Sequence, residues 1–262
     1  MAAVPPLVYI TGASSGIGQA LALHYARSGW RLALVVRKKS ETKSWLDAEQ
    51  VRTECYQIYE SDVTDTPALV AAGHAAIAAQ GVPDVVIANA GISVGIDTAD
   101  RGDLDIMALT FATNNVGMAA TFHPFVQPMV ERGRGTLVGM ASVAAIRGLP
   151  GHGAYCASKA AVVSYCESLR GELRPTGVKV VTLLPGYVDT PLTRSNRYPM
   201  PFLMQPHAFA REAARTIAAQ TRYRVIPWQM GVVAKLLRWL PNAWFDMLFA
   251  GRPRKRRRNE SA

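Results

Sequence analysis

Tyr155 and Lys159, with Ser142 upstream, are residues whose types and spacing can move a proton. A four-residue spacing puts the phenol and the ammonium on one face of a helix, about one turn apart. A free phenol has a pKa of ~10, and a neighbouring ammonium favours the phenolate and lowers that pKa. The pair is therefore predicted to act as an acid/base device near neutral pH. Ser142 ends an apolar, strand-like run, where its hydroxyl can hold the substrate oxygen that the tyrosine protonates.

A Tyr-x-x-x-Lys pair occurs by chance on many helices, so its weight depends on the elements around it. A glycine-rich turn near the N-terminus is the first of these. The apolar run Leu7 to Ile10 leads into Thr11-Gly-Ala-Ser-Ser-Gly-Ile-Gly18, and helical spacing follows from Gln19. The glycines Gly12, Gly16 and Gly18 permit a tight turn and the close approach of a pyrophosphate, which the helix N-terminus would bind. The alternative is a plain strand-to-helix turn without a ligand.

The end of the second predicted strand, Arg31 to Val36, indicates which dinucleotide would bind. NAD-binding sheets usually place an acid there to bond the adenosine ribose. This chain has Val36, followed by the basic residues Arg37, Lys38 and Lys39. An acid repels a 2′-phosphate and a basic cluster binds one. The residues therefore favour NADP(H) over NAD(H); the alternative is a solvated basic turn.

Strand-like and helix-like segments alternate along the rest of the chain. Strands are predicted at 55–59, 85–88, 135–141 and 179–184, and helices at 67–79, 103–125 and 154–173. This alternation predicts an α/β fold, a single-domain, Rossmann-like, doubly wound parallel sheet. Asn89-Ala90-Gly91 ends a buried strand, where ligands of open α/β sheets bind. Asn114, Asn115 and Gly117 interrupt an apolar helix, and asparagine and glycine there cost up to about 1 kcal/mol each, which predicts a bend or a functional asparagine.

Composition sets the broad class. Of the 262 residues 49% are apolar and 18% are charged, as in a globular chain with a large core. The net charge is +10, and Arg252 to Ala262 contributes half of it, with six basic residues and one acid. The body is only mildly basic, so no nucleic-acid partner is expected. The three cysteines show no spacing typical of a metal site or a disulfide framework. The sequence also shows no pattern of a signal peptide or of a bilayer-spanning segment. Together these observations predict a cytoplasmic protein.

Taken together, these motifs resemble the short-chain dehydrogenase/reductase family over about Leu7 to Ile226. The resemblance implies an NAD(P)-dependent oxidoreductase. Tyr155 would be the general acid in reduction and the base in oxidation, Lys159 would lower its pKa and bond the nicotinamide ribose, and Ser142 would orient the carbonyl. Asn115, chosen over the adjacent Asn114 from an Asn-x-x-Gly-like pattern, would hold a water in the proton relay.

The resemblance also implies a cofactor site. Ser14, Ser15 and Ile17 would contact phosphate or ribose, and Val188 and Thr190 the nicotinamide amide. Asp62 and Val63 would bracket the adenine. The predicted cofactor-binding residues are Gly12, Ser14, Ser15, Gly16, Ile17, Gly18, Arg37, Lys38, Asp62, Val63, Asn89, Ala90, Gly91, Tyr155, Lys159, Pro185, Gly186, Val188 and Thr190. Family members with a basic residue after the second strand usually use NADP. A homodimer or homotetramer built on the long helices is also implied.

The segment from Thr190 to Phe209 is rich in methionine, aromatic residues and proline. In the family it is usually a mobile lid, and such side chains suit an adaptable apolar pocket. We therefore expect a lipid-like, steroid-like or aromatic ketone or alcohol as substrate. The alternative is that these residues merely pack the lid.

Residues 227–262 are predicted to extend the nucleotide-binding domain, residues 1–226, without forming an independent domain. Trp228 to Phe249 reads as two short amphipathic helices split at Pro241, followed by the basic run that begins at Arg252. Apolar helices beside basic residues can lie on an anionic membrane surface, so 228–258 could make the protein peripheral on the inner face of a membrane. Alternatively the helices cover the pocket or form a dimer contact beneath a solvated tail, or the basic run contacts nucleic acid or directs localisation. A non-catalytic, cofactor-binding sensor or membrane-associated scaffold is the alternative function.

Overall fold

A parallel sheet with helices on both faces organises the computed structural model, which describes residues 4–194, 196, 198–251 and 253–258. Within these residues the sheet has seven strands in the order β3-β2-β1-β4-β5-β6-β7. The strands are β1 Leu7–Thr11, β2 Arg31–Val36, β3 Tyr56–Glu60, β4 Val85–Ala88, β5 Gly135–Met140, β6 Val178–Pro185 and β7 Tyr223–Ile226. The predicted Rossmann-like, doubly wound fold is thereby confirmed.

Ten α-helices occur in the part of the chain that the structure describes. They are α1 Gly16–Arg27, α2 Lys39–Ala48, α3 Thr66–Gln80, α4 Gly102–Phe111, α5 Gly117–Arg132, α6 Gly153–Glu172, α7 Pro191–Arg194, α8 Pro206–Ala218, α9 Trp228–Trp239 and α10 Asn242–Phe249. Helices α1, α2 and α8 pack on one face of the sheet, and α3, α5 and α6 on the other. The central strands are buried on both faces, which is why β1, β2 and β4 are nearly continuous apolar runs.

The long helical region predicted at 103–125 contains the bend that its asparagines suggested. Helix α4 passes through a π-helical turn at Ala112–Val116 and continues as α5. A π turn inserts an extra residue into the helix and often marks a functional position. Here it turns Thr113 and Asn114 into the interior.

The sequence reading missed β7 and misplaced the end of the predicted lid. β7 is four residues long and begins with exposed Tyr223 and Arg224, so it lacks the apolar run of a central strand. Phe209, predicted in the lid, is fully buried in the sheet's core. Its helix α8 starts at Pro206 and buries one amphipathic face, which draws Phe209 inward.

The predicted pair of C-terminal helices is present, with the break at Pro241. The Arg147 guanidinium holds them by donating hydrogen bonds to the carbonyls of Leu237 and Leu240, and it stacks 3.8 Å over the Phe245 ring centroid. Each helix within the described residues is too short or too polar to span a lipid bilayer.

The described part of the basic tail contacts the rest of the protein. The sequence-based alternative of a solvated tail therefore does not hold for these residues. Lys255 is buried, and Arg257 forms ion pairs with Asp100 and Asp103. Arg252 and the last four residues lie outside the described part of the chain.

Candidate active site

An open cleft of about 300 Å³ lies across the carboxyl ends of the central strands. This is where ligands bind in open α/β sheets. Sequence-predicted residues lining it are Gly12, Ser14, Ser15, Gly16, Ile17, Arg37, Asp62, Val63, Asn89, Ala90, Gly91, Ser142, Tyr155, Lys159, Pro185, Gly186, Val188 and Thr190. Three predicted site residues, Gly18, Lys38 and Asn115, are not part of its lining.

Hydrogen bonds between neighbouring strand ends fix the glycine loop. The Thr11 hydroxyl accepts from the Asn89 and Ala90 backbone N–H groups at 3.2 and 3.3 Å, and the Asn89 amide donates to the carbonyls of Thr11 and Gly12. A Cβ on Gly12 would lie 2.8 Å from the Ala90 Cα, and its φ of +69° is left-handed. Only glycine satisfies both conditions without strain.

The start of α1 is suited to a phosphate. The N-cap Ser15 makes no side-chain capping hydrogen bond, and the first turn carries no acid. Ser15, Gly16 and Ile17 line the cleft, so the uncapped N-terminus of the helix, with its free N–H groups and partial positive charge, lies at the cleft wall. Gly18 packs closely against this turn, and a Cβ there would collide with the Gly12 carbonyl.

Arg37 and Asp62 line the opposite end of the cleft, beyond β2 and β3. Hydrogen bonds from the Thr64 backbone N–H and hydroxyl lower the pKa of the Asp62 carboxyl, and the nearby Arg37 charge adds to this effect. Arg37 is exposed and available to a ligand. Lys38 instead forms an ion pair with Glu41 at 2.6 Å. Of the two basic residues predicted to bind the cofactor, only Arg37 lines the cleft.

Ser142, Tyr155 and Lys159 converge at the end of β5 and the start of α6. The Lys159 ammonium donates to the Met140 carbonyl at 2.8 Å, and burial lowers its pKa to about 8. Burial raises the pKa of Tyr155, while a hydrogen bond with Ser142 acts in the opposite direction. The Lys159 Nζ lies 5.8 Å from the Tyr155 ring centroid. Burial therefore outweighs the lowering of the Tyr155 pKa that the sequence predicted.

The two asparagines of the π turn have different surroundings. Asn114 is buried; its side-chain oxygen accepts from the Ile92 N–H, and its side-chain nitrogen donates to the Ile92 carbonyl and the Ser158 hydroxyl. A Cβ on Gly91 would meet both the Asn114 Oδ1 and the Lys159 Nζ, at 3.1 and 3.3 Å. Asn115 donates to the Ser158 carbonyl, and its Oδ1 is buried without a partner in the described structure. Asn114 thus lies beside Lys159, whereas Asn115, the residue chosen from the sequence, supports α6.

The cleft also contains residues that sequence reasoning missed. They are Val35, Val36, Ser61, Thr64, Ile92, Leu109, Thr113, Met140 and Ala141, together with Pro191, Leu192 and Thr193, which had been placed in the lid. Half of these twelve directly precede or follow a predicted site residue, so several strand ends contribute a longer stretch than their motifs suggest. His152 was also missed; its Nε2 lies 3.1 Å from the Tyr198 hydroxyl.

Comparisons with known proteins agree with this geometry. A sequence model described as short chain dehydrogenase matches residues 6–200. An uncharacterized oxidoreductase of Myxococcus xanthus is 40% identical over 237 residues, covering 90% of this chain and 93% of its own.

Two solved structures share the fold. A short chain dehydrogenase/reductase from Burkholderia phymatum in complex with NAD has a TM-score of 0.80 at 23% identity, covering 95% of this chain and 96% of its own. An alcohol dehydrogenase from Thermococcus sibiricus complexed with 5-hydroxy-NADP has a TM-score of 0.73 at 24% identity, covering 85% and 96%.

Proposed function

The chain belongs to the short-chain dehydrogenase family of oxidoreductases, and from this premise we propose that it is an NADP(H)-dependent carbonyl reductase or alcohol dehydrogenase. It would transfer a hydride between the nicotinamide and the carbonyl or secondary alcohol of an apolar substrate. The convergence of Ser142, Tyr155 and Lys159 at one end of a cleft whose other end carries Arg37 is the observation that carries the proposal.

The residues of the cleft fit a dinucleotide. The glycine cradle would be filled by a Cβ on Gly12, and the uncapped start of α1 offers N–H groups to a pyrophosphate. Arg37 would bind the adenosine 2′-phosphate, and the exposed Asp62 lies near the adenine end. When bound, the nicotinamide supplies or accepts the hydride. The Burkholderia and Thermococcus proteins bind NAD and an NADP derivative, so family membership alone leaves the choice open; Arg37 favours NADP(H).

In carbonyl reduction the proton comes from this chain. The Ser142 hydroxyl would orient the substrate oxygen, and the Tyr155 hydroxyl would donate its proton there as the carbonyl carbon receives the hydride. The raised pKa of Tyr155 keeps this donor protonated at neutral pH. The Lys159 ammonium would stabilise the tyrosinate left behind. We assign the supporting asparagine as Asn114, because its side chain lies beside Lys159 at Gly91.

The substrate class is inferred from the open side of the cleft. Ile92, Leu109 and Leu192 line it with aliphatic side chains. The hydrogen-bonded pair of His152 and Tyr198 provides a polar group near Tyr155: burial raises the pKa of the Tyr198 hydroxyl, and the nearby Tyr187 and Tyr155 raise it further. A ketone or aldehyde with a bulky apolar group and one polar oxygen fits such a lining.

The test is a panel of aldehydes, ketones and secondary alcohols, including acetophenone and 2-decanone, with NADPH or NADH. Nicotinamide absorbance reports turnover. We expect NADPH-dependent reduction of apolar ketones and weaker activity with NADH. Equal use of both nucleotides would refute the cofactor assignment, and inactivity in both directions would favour the non-catalytic alternative.

Peripheral membrane association is a second proposal, supported by the exposed face of α9. Trp228, Val232, Leu236 and Trp239 lie along one side of this helix and are 48–80% exposed. The exposed basic residues Lys235 and Arg238 are next to them. Aromatic and aliphatic side chains beside positive charge suit an anionic lipid surface.

Liposome co-sedimentation tests the membrane proposal. The full chain should sediment with vesicles containing anionic lipid more than with zwitterionic vesicles, and Trp239→Glu should reduce this binding. Equal recovery with and without vesicles would rule out membrane attachment.

We also propose a homodimer or homotetramer. Leu104, Met107 and Val116, on α4 and the π turn, and Tyr165 on α6 leave apolar area exposed on the surface of the long helices. Light scattering of Leu104→Glu should show a smaller mass than that of the parent protein. A monomeric parent would refute the proposal.

A further inference from the structure

The described part of the C-terminal tail, residues 253–258, runs across the loop that follows β4. The Gly95 N–H donates to the Arg256 carbonyl at 2.8 Å, and Gly95 forms a β-bridge with Arg257. A Cβ on Gly95 would collide with the Lys255 carbonyl. The tail therefore lies against the backbone of this loop, where only glycine permits so close an approach.

Two ion pairs hold the tail on that side. Arg257 donates through Nε to the Asp103 carboxylate at 2.7 Å and through Nη2 to Asp100. Asp103 is only 3% exposed and also accepts from the Asp97 N–H at 2.6 Å. A charge-assisted pair with a buried carboxylate is stronger than an exposed surface pair. Arg257 thus anchors the tail to the segment that enters α4.

Lys255 connects the tail to the opposite wall. Its side chain is buried, and its ammonium donates to the Leu192 carbonyl at 2.9 Å and to the Asn196 Oδ1 at 2.6 Å. Leu192 lines the cleft beside Thr190 and Thr193. A buried ammonium is costly unless it is hydrogen-bonded, so these bonds fix the lid segment relative to the tail.

The tail also touches a third wall. A Cβ on Gly151 would lie 2.8 Å from the Arg254 Cβ. Burial lowers the pKa of His152, and the positive charge of the nearby Lys255 lowers it further. The His152 ring is hydrogen-bonded to Tyr198 of the lid segment. The tail therefore meets the loop after β4, the turn before α6 and the lid segment, and the first and last of these also contribute Ile92 and Leu192 to the cleft.

We infer that residues 253–258 form a clasp that holds the lid segment closed over the substrate, with Lys255 as the positioning residue and Arg257 as its anchor. This inference rests on the proposed function, because it assigns the clasp to the substrate of that site. Lys255 would set how firmly the apolar carbonyl compound is retained. It would leave nucleotide binding unchanged, because neither of its acceptors, Leu192 and Asn196, is among the predicted cofactor-binding residues.

The test compares Lys255→Met with Arg258→Met in the full chain. Both substitutions remove one positive charge from the tail, but Arg258 is exposed whereas Lys255 is buried. With the most active ketone of the panel, Lys255→Met should raise KM about tenfold, as expected for losing a charged hydrogen bond. Its kcat should stay within about twofold, and its NADPH dissociation constant, from nicotinamide fluorescence, should be unchanged. Arg258→Met should match the parent.

A second readout does not depend on turnover. Amide hydrogen exchange in residues 190–204 should speed up in Lys255→Met and not in Arg258→Met. Asn196→Leu removes one acceptor from the lid side, and its effect should be non-additive with Lys255→Met. Unchanged exchange in both Lys255→Met and Asn196→Leu would overturn the clasp. If the panel shows no turnover, the proposed function fails while the exchange experiment still decides the clasp.

Discussion

The two ends of the cleft are built by different means. At the nucleotide end, backbone groups form the walls: the glycine loop is held by Thr11 and Asn89, directly at the ends of β1 and β4. At the substrate end, long side chains from distant parts of the sequence make the connections. Arg147 reaches α9 and α10, and Lys255 reaches the lid segment across 63 positions of sequence.

This difference has a chemical reason. A pyrophosphate presents the same groups in every reaction, so a backbone cradle needs little variation and is encoded by a short motif. A substrate differs from one enzyme to another, and side chains can change without disturbing the sheet. Substitutions at the nucleotide end should therefore affect all substrates alike, and those at the substrate end should discriminate among them.

Tyr155→Phe should have the largest effect, because it removes the proton donor where the two ends meet. Turnover of every ketone should fall by roughly a hundredfold to ten-thousandfold, while NADPH affinity is retained. Tyr165→Phe, on the same helix but at an exposed position, is the matched control. Unchanged turnover in Tyr155→Phe would remove Tyr155 from the mechanism.

Gly12→Ala should damage the nucleotide end through the backbone. The added Cβ would meet Ala90 in a left-handed conformation, at a cost of roughly 1–3 kcal/mol, so NADPH affinity and melting temperature should both fall. Gly171→Ala is the control, since its Cβ would meet nothing within 4 Å on a regular helix. It should stabilise the protein slightly. Equal behaviour of the two variants would contradict the backbone-cradle description.

Arg37→Ser should change cofactor preference without changing substrate preference. Loss of a charged contact to the 2′-phosphate should reduce the NADPH-to-NADH ratio of kcat/KM by about tenfold to a hundredfold. Lys38→Ser should have a smaller effect, because Lys38 is paired with Glu41 and does not line the cleft. A larger effect at Lys38 would reverse the assignment of the two basic residues.

The pH profile should follow Lys159. Burial lowers its pKa to about 8, so the ammonium is present below that pH and is lost as the pH rises through it. Tyr155 stays protonated over the same range because its pKa is raised. The kcat/KM for ketone reduction should therefore fall above pH 8, approaching about tenfold per unit. A flat profile to pH 10, measured with several ketones, would show that the charge of Lys159 is not required.

Tyr198→Phe should have the smallest and most selective effect. It removes the hydroxyl that pairs with His152 near Tyr155, so relative activities across the ketone panel should shift by a few-fold. NADPH affinity should not change. A uniform loss of activity toward all ketones would instead indicate that Tyr198 acts in the chemical step that all these substrates share.

Much of the sheet could be predicted because buried parallel strands are unbroken apolar runs. β2 and β4 lie at their predicted positions. β7 could not be found, since an edge strand with Tyr223 and Arg224 exposed lacks that pattern. Phe209 was misplaced for a related reason: an aromatic residue near prolines suits a lid as well as a helix start, and only packing against the sheet distinguishes them.

The choice between Asn114 and Asn115 has a different origin. An Asn-x-x-Gly spacing that ends at Gly117 begins at Asn114 and not at Asn115, so the sequence itself favours Asn114, and the structure places the Asn114 side chain beside Lys159. Arg37 and Lys38 do show the limit of the sequence, because they are adjacent bases of which only Arg37 lines the cleft.

The family and most of the sheet followed from the sequence, because they depend on local motifs whose spacing is set by strand and helix geometry. The position of the C-terminal tail, in contrast, followed from the folded structure alone. A run of basic residues has no intrinsic partner, and the same charges could face solvent, lipid or nucleic acid. The fold brings Asp100 and Asp103 to Arg257, and the lid carbonyl of Leu192 to Lys255, and burial makes these contacts strong enough to hold the tail.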